Sequence, residues 1–308
     1  MKESLFYIQR INALYNTGAF SKSDRLLADY FLANPCCVNK ETASSLSLLT
    51  GVSPATIVRF CRKLGFDGLA DMKKSIAYSN YIESTASDMD LAKGDDAETV
   101  KNKVIQYTKM IVDQLQFSLD ASLLQKAADM IGSAAHVVIV GEGGSGTICR
   151  AAYDIFLKLA IPCRFVEDIM FQMMEISMMG ENDVLLFIIN SGRTYNVLQN
   201  AEYARDRGLA TIGIVGSPNS PLSRFLDVEL QTSMFSSSYF SDISAARLCE
   251  LTTVSILHSI LALTRNEEQM EKGDEIAMSI ERKRVSLKRS EERRVGKEIG
   301  RASCRARV

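Results

Sequence analysis

Apolar positions recur with two different periods along this chain. From residue 5 to about 18, and again from 21 to 34, they follow helical spacing, with Leu26, Leu27, Tyr30 and Phe31 on the second segment. Ser21-x-x-Asp24, at the start of that segment, has the form of a capping box. Residues 43–49 read as a short helix and Thr50-Gly51-Val52 as a turn. A further helix is opened by Ser53 as N-cap and Pro54 as its first residue. With Leu46, Leu49, Val52, Ile57 and Phe60 at packing positions, this is the helix-turn-helix pattern. Residues 79–100 are polar and acidic and read as a connector. A helix is then expected over 97–119, with Val100, Val104, Tyr107, Ile111, Leu115 and Leu119 on one stripe, and another from Asp120 through Ile131.

Beyond residue 136 the period changes. Short apolar runs at 137–140, 164–166, 184–189, 211–215 and 228–230 alternate with helical patterns at 145–159, 169–178 and 197–207. Strands alternating with helices predict a doubly wound α/β body with a parallel sheet, whose ligands bind beyond the carboxyl ends of the strands. The chain thus reads as an all-α helix-turn-helix domain (1–80), a linker (81–96) and an α/β domain (97–265) with five strands. A charged extension (266–288) and a terminal segment (289–308) follow.

Two loops in the body carry candidate chemistry. Gly141-Glu142-Gly143-Gly144-Ser145-Gly146 joins a strand to a helix, where glycines admit a ligand to the backbone and the helix start offers free N–H groups. Its letters match the dinucleotide fingerprint, with Glu167 and Asp168 about 20 residues on, where a ribose-binding acid belongs. They equally suit a single phosphate, with Ser145 as hydroxyl donor. Asn190-Ser191-Gly192-Arg193-Thr194 follows the third strand and places two hydroxyls around a glycine at a helix start, a second phosphate cradle. Candidate acids and bases for an isomerase are Glu142, Glu167, Asp168, Glu175 and His258, none in a spacing that demands catalysis.

Charge sharpens the division. Residues 1–80 hold 10 Lys/Arg against 6 Asp/Glu, a net of +4, whereas residues 81–280 hold 15 against 27, a net of −12. A basic head on an acidic body points to a polyanionic partner for the head. In the second helix of the motif, Ser53, Pro54, Ala55 and Thr56 are placed to reach base edges and Arg59 to contact guanine. Arg62, Lys63, Lys73 and Lys74 are placed to meet phosphates of double-stranded DNA. The 7 cysteines show no CxxC spacing and only 2 histidines accompany them, so reduced thiols are expected, with no metal and no cofactor. No apolar run is read as a membrane span and the N-terminus lacks the layout of a signal peptide, which gives a cytoplasmic expectation.

The segment GVSPATIVRFCRKLGFDGLADMKKSI resembles the N-terminal domain of the RpiR family of bacterial sugar-phosphate-responsive transcription regulators. The two loops at 141–145 and 191–194 resemble the phosphosugar loops of the SIS (sugar isomerase) domain. Asn219-Ser220-Pro221-Leu222 is similar to that domain's Ser-Pro-Leu segment, and 240–263 to its closing helix with Arg247-Leu248. The resemblance implies that Ser145, Ser191 and Thr194, with the backbone of Gly143, Gly144 and Gly192, hold the phosphate of a sugar effector. Two positions depart from the family pattern. Ile189 stands where an extra serine is common, and Arg193 where related enzymes have Glu. Arg193 and Glu142 are added as candidate ligand contacts. The expected protein is a homodimer or homotetramer that reads a DNA operator and does not turn its ligand over. A sugar-phosphate isomerase with an accessory DNA-binding head is the alternative, and a nicotinamide-dependent enzyme a third. Residues 289–308 are Arg-rich and aperiodic, resemble a read-through tail, with a basic nucleic-acid-binding tail as the alternative, and are set aside from the fold.

Overall fold

Runs such as Val137–Val140 and Val184–Ile189, apolar at every position, can be buried only if both faces of their sheet are covered. The computed structural model describes residues 6–16, 18–34, 38–86, 91–217, 220–233 and 243–283, and it satisfies that requirement.

The head contains α1 (Phe6–Asn16), α2 (Lys22–Ala33), α3 (Ala43–Thr50), α4 (Pro54–Lys63) and α5 (Leu69–Ala86). The capping box closes on α2: Asp24 N–H donates to Ser21 Oγ at 3.2 Å and Ser21 N–H to Asp24 Oδ2 at 3.0 Å. Tyr7, Ile11, Leu27, Phe31, Leu46, Ile57, Phe60 and Met72 fill one core. Phe60 lies against Phe20 and Phe31 with ring centroids 5.5 and 5.7 Å away. Leu49 is not in that core. It is 56% exposed, because the short α3 turns only Leu46 fully inward. Helix α5 carries the chain to Ala86, into the segment read as connector.

The body begins with α6 (Ala97–Asp113), α7 (Leu115–Ser118) and α8 (Ala121–Ser133). The single helix expected over 97–119 is therefore broken at the buried Gln114, and Val104 and Ile105 on its first part are exposed. The chain continues through β1 (Val137–Val140), α9 (Gly144–Lys158), β2 (Cys163–Val166) and α10 (Ile169–Met178). Then follow β3 (Val184–Ile189), α11 (Tyr195–Asp206), β4 (Ala210–Val215), β5 (Val228–Gln231) and α12 (Ile243–Thr264). The five strands are all parallel, in the order β2-β1-β3-β4-β5.

Alternate strand residues face opposite layers. Val137, Ile139, Leu186, Ile188, Ile212 and Ile214 pack with α8, α9 and α12. Val138, Val140, Leu185, Phe187 and Ile189 pack with α10, α11 and the turn at Leu222 and Phe225. The expectation that no segment is long and apolar enough to span a membrane is corrected by α12, since 246–264 passes on length and composition. In the fold that helix lies against the sheet, with Val254, Leu257 and Leu261 in the core. A last helical segment covers 267–283, and the tail at 289–308 and the start of the closing helix expected at 240 lie outside the described residues.

Among the described residues, head and body touch around Arg10 and Phe117. Phe117 of α7 packs against the head core. Arg10 of α1 donates to the carbonyl of Leu64, the C-cap of α4, and at 3.4 Å to the carbonyl of Ser118. Its guanidinium carbon lies 5.3 Å from the Phe66 ring centroid.

Candidate functional site

Strand order decides where a ligand can enter the body. The chain leaves β1 toward β2 on one side and returns to β3 on the other, so the crevice of this sheet lies between β1 and β3. Both candidate loops open there. Gly141–Gly146 leaves the carboxyl end of β1 and Asn190–Thr194 that of β3, with Val140 paired to Phe187.

Local geometry explains the glycines. A Cβ on Gly141 would lie 2.5 Å from the carbonyl oxygen of Ile188 and 2.6 Å from Cys149 Sγ. Gly143 has φ +56°, as the N-cap of α9. A Cβ on Gly192, at φ +58°, would lie 1.8 Å from Ser220 Oγ. Ser220 pins the second loop. Its hydroxyl donates to the Gly192 carbonyl at 3.3 Å and accepts from Leu222 N–H at 3.1 Å. The motif containing Ser220 was visible in the sequence, but its part in the second loop was not, since Gly192 lies 28 residues away.

What the two loops present is a pair of helix starts without side-chain caps. Helices α2, α3, α4, α6, α8 and α10 are capped by Ser21, Thr42, Ser53, Asp96, Asp120 and Asp168. The N-caps of α9 and α11 are Gly143 and Thr194, and neither bonds its helix through a side chain. In α9 Ser145 N–H donates to the Glu142 carbonyl at 3.1 Å and Gly146 N–H to the Gly143 carbonyl at 3.0 Å, so the anion-binding character of these starts rests on the Gly144 amide, the first turn of α11 and the two dipole ends. Gly143, Gly144, Ser191 and Arg193 are exposed there, and Thr194 is half-buried. Ser191 Oγ accepts from Arg193 N–H at 3.3 Å.

Ser145 is placed differently. It is 2% exposed, and its hydroxyl accepts from Arg247 and donates to Glu250 Oε1 at 3.3 Å. Arg247 also pairs with Glu250 Oε2, and its guanidinium lies against Gly144, where a Cβ would come within 3.0 Å of Nε. Ser145, Arg247 and Glu250 thus tie the first turn of α9 to α12. Burial pushes the Glu250 carboxyl above its ordinary value, opposed by Arg247 and by the hydroxyl of Ser145. Glu142 is half-buried, its carboxyl also pushed up by burial and hydrogen-bonded by the Asn196 side chain.

Several candidate acids serve the fold. Asp168 caps α10, accepting from Met170 N–H at 2.9 Å and Phe171 N–H at 3.2 Å. Glu175 pairs with Arg164, and His136 Nδ1 lies 3.3 Å from Asp183 Oδ1. His258 is half-buried on α12 and Glu167 exposed at the end of β2. The strand order also differs from the 3-2-1-4-5-6 arrangement of dinucleotide folds.

In the head, Ser53 accepts from Thr56 N–H at 3.3 Å and Pro54 occupies the first turn of α4. Ser53, Pro54, Ala55 and Arg59 are exposed at the start of that helix, and Arg59 donates to Thr56 Oγ1 at 3.2 Å. Arg62 is exposed and donates to the Asp67 carbonyl at 3.2 Å. Lys63 lies 2.9 Å from Asp24 and also donates to the Ala19 carbonyl, so it ties α4 to α2. Lys74 is exposed and Lys73 half-buried on α5. Gly51, at φ +70°, ends α3 and sets the angle at which α4 departs. Gly51→Ala should lower the melting free energy of the head by about 1 kcal/mol, read by urea unfolding, since only left-handed strain is added there.

Comparison with known proteins agrees with both halves. A model described as the helix-turn-helix domain of the rpiR family matches residues 7–83, and a SIS domain model matches residues 130–248. The HTH-type transcriptional regulator HexR of Escherichia coli (strain K12) is 28% identical over 247 residues, 80% of this chain and 84% of HexR. An HTH-type transcriptional regulator of Caldanaerobacter subterraneus is 29% identical over 246 residues, 80% of this chain and 87% of that protein. Among solved structures, the Vibrio vulnificus NanR protein complexed with ManNAc-6P superposes with a TM-score of 0.55 at 22% identity, covering 89% of this chain and 97% of that one.

Proposed function

We propose, on the footing that the chain belongs to the RpiR family of transcriptional regulators and joins that head to a SIS domain, that its body senses a phosphorylated sugar and so alters operator binding by the head. The observation that carries this reading is the pair of uncapped helix starts, α9 and α11, opening on adjacent loops at the strand-order switch. One loop would suffice for a dinucleotide, and two suit a compact phosphate with a sugar between them. NanR, which shares the fold, is complexed with ManNAc-6P. Ser191, Thr194, Arg193 and the backbone of Gly143, Gly144 and Gly192 are the contacts, with Ser145 holding the first loop in place from behind through Arg247.

The head binds double-stranded DNA with α4 in the major groove, Ser53 to Thr56 and Arg59 at base edges and Arg62 on the backbone. Paired half-sites call for a homodimer or a homotetramer. Met170, Phe171, Met174 and Met178 leave an exposed apolar face on α10 of the kind a second copy would cover. Effector linkage follows if the ligand binds one arrangement of the body better than another.

A binding site selected from a random duplex pool provides the operator for the test. Arg59→Ala should weaken binding to that site by roughly 10- to 100-fold, the worth of one bidentate base contact, without lowering the melting temperature. Addition of sugar phosphates should change the wild-type affinity, and Ser191→Ala with Thr194→Ala should remove that response while leaving ligand-free DNA binding intact. Stabilisation of the body by NAD(P) and by no sugar phosphate would overturn the reading.

A further inference from the structure

Glu142 is the one acidic residue of the first loop. Its Oε1 is buried and has no hydrogen-bond partner among the described residues, while Asn196 of α11 hydrogen-bonds the carboxyl. The side chain therefore reaches from the β1 loop to the first turn of the helix after β3, across the crevice in which the phosphate is placed. A carboxylate there works against a bound phosphate, since like charges in a partly desolvated site disfavour one another. The nearby cations leave that conflict standing. Arg247 lies against Gly144 but is already paired with Ser145 and Glu250, and Arg193 is exposed on the second loop. A positive charge at Glu142 is what the site lacks, and a ligand can bring it.

We propose that Glu142 is a specificity-determining residue whose buried, unpartnered carboxylate oxygen receives an ammonium group of the effector, so that the effector is a phosphorylated amino sugar with a free amine. The proposal rests on the reading of the two loops as a phosphate cradle. In it the phosphate lies on the starts of α9 and α11, and the ammonium donates to Glu142 Oε1 from the sugar ring. Asn196 holds the other side of the carboxyl and fixes its rotamer. Glutamine at position 142 keeps the shape and the bond to Asn196 and removes the charge.

The test is calorimetric titration of the full-length protein at pH 7 with glucosamine 6-phosphate, glucose 6-phosphate and inorganic phosphate. Wild type should bind the amino sugar about tenfold more tightly than the neutral one, the size of a charge-assisted hydrogen bond. Glu142→Gln should act with opposite signs, weakening glucosamine 6-phosphate about tenfold and leaving glucose 6-phosphate unchanged or tighter. Glu142→Asp, which keeps the charge, should keep the preference. Equal weakening of both sugars by Glu142→Gln would make the residue a structural part of the loop and overturn the proposal. So would wild-type binding of both sugars without preference, and in that case the phosphate cradle would stand. Failure of all three compounds to bind wild type would remove the cradle as well.

Discussion

Replacing Arg247 with methionine should destabilise the body by about 3–5 kcal/mol, because it leaves a buried carboxylate without its partner. Glu250 is fully buried, and Arg247 and Ser145 are its partners. The loss should depend on pH. Burial already pushes the Glu250 carboxyl above its ordinary value, and the variant removes the charge that opposes the push. The folded variant then keeps a proton at pH values where the unfolded chain has released it. Stability accordingly falls as pH rises from the ordinary carboxylate range through the raised folded value. Urea unfolding at pH 5 and pH 8 should show the larger loss at pH 8. Adding Glu250→Leu should recover most of it, since an apolar pair of similar volume is tolerated where half an ion pair is not. A loss independent of pH and not recovered by the second change would show that Arg247 acts by packing alone. The same variant should also leave Ser145 with its bond to Glu250 alone and loosen the start of α9, since the guanidinium lies against Gly144.

That ion pair marks the limit of what the sequence discloses. The strands were legible because burial on both faces writes continuous apolar runs, such as Val184–Ile189. The caps at Ser21 and Ser53 were legible because a cap is a contact between neighbours in sequence. Leu49 was misplaced because apolar letters on an eight-residue helix do not fix which side faces inward. The break at Gln114 was missed because the apolar stripe continues across it to Leu115, which is buried as the stripe requires. The two loops could be found by their glycines and hydroxyls, but not the direction of each hydroxyl. Ser145 faces α12 because Arg247, 102 residues later, draws it there. Ser191 stays at the crevice because its partner is the N–H two residues on.

The contact between head and body is equally non-local, and Arg10→Met should separate the two. Arg10 bonds the carbonyl at the end of α4, 54 residues away, and the carbonyl of Ser118, 108 residues away. Burial lowers its pKa to about 10, with Asp120 and Asp71 acting in the other direction, so at neutral pH it remains charged. Methionine fills much of the volume but leaves two carbonyls without these donors, at roughly 1.5–3 kcal/mol for each bond to a charged group. Differential scanning calorimetry should show the head melting ahead of the body in the variant, closer to wild type in Arg10→Lys, whose single ammonium can reach one carbonyl but not both. Domains joined by a small contact move independently unless it is held, so the orientation of α4 relative to the body depends on this residue. The consequence for regulation is specific. The base contacts proposed for the head come from α4, whose residues the substitution leaves unchanged, so operator binding should persist in Arg10→Met. Under the proposed function a response to ligand would pass from the body into the head, and a route the structure offers is α12 to α6 through Cys249, which donates to the Ile111 carbonyl at 3.3 Å, then α7 and Arg10. Anisotropy titrations of the variant should therefore show DNA affinity within a few-fold of wild type and a diminished effect of sugar phosphate on it. An undiminished effect with a separated head transition would mean that coupling passes through the connector or a second subunit instead.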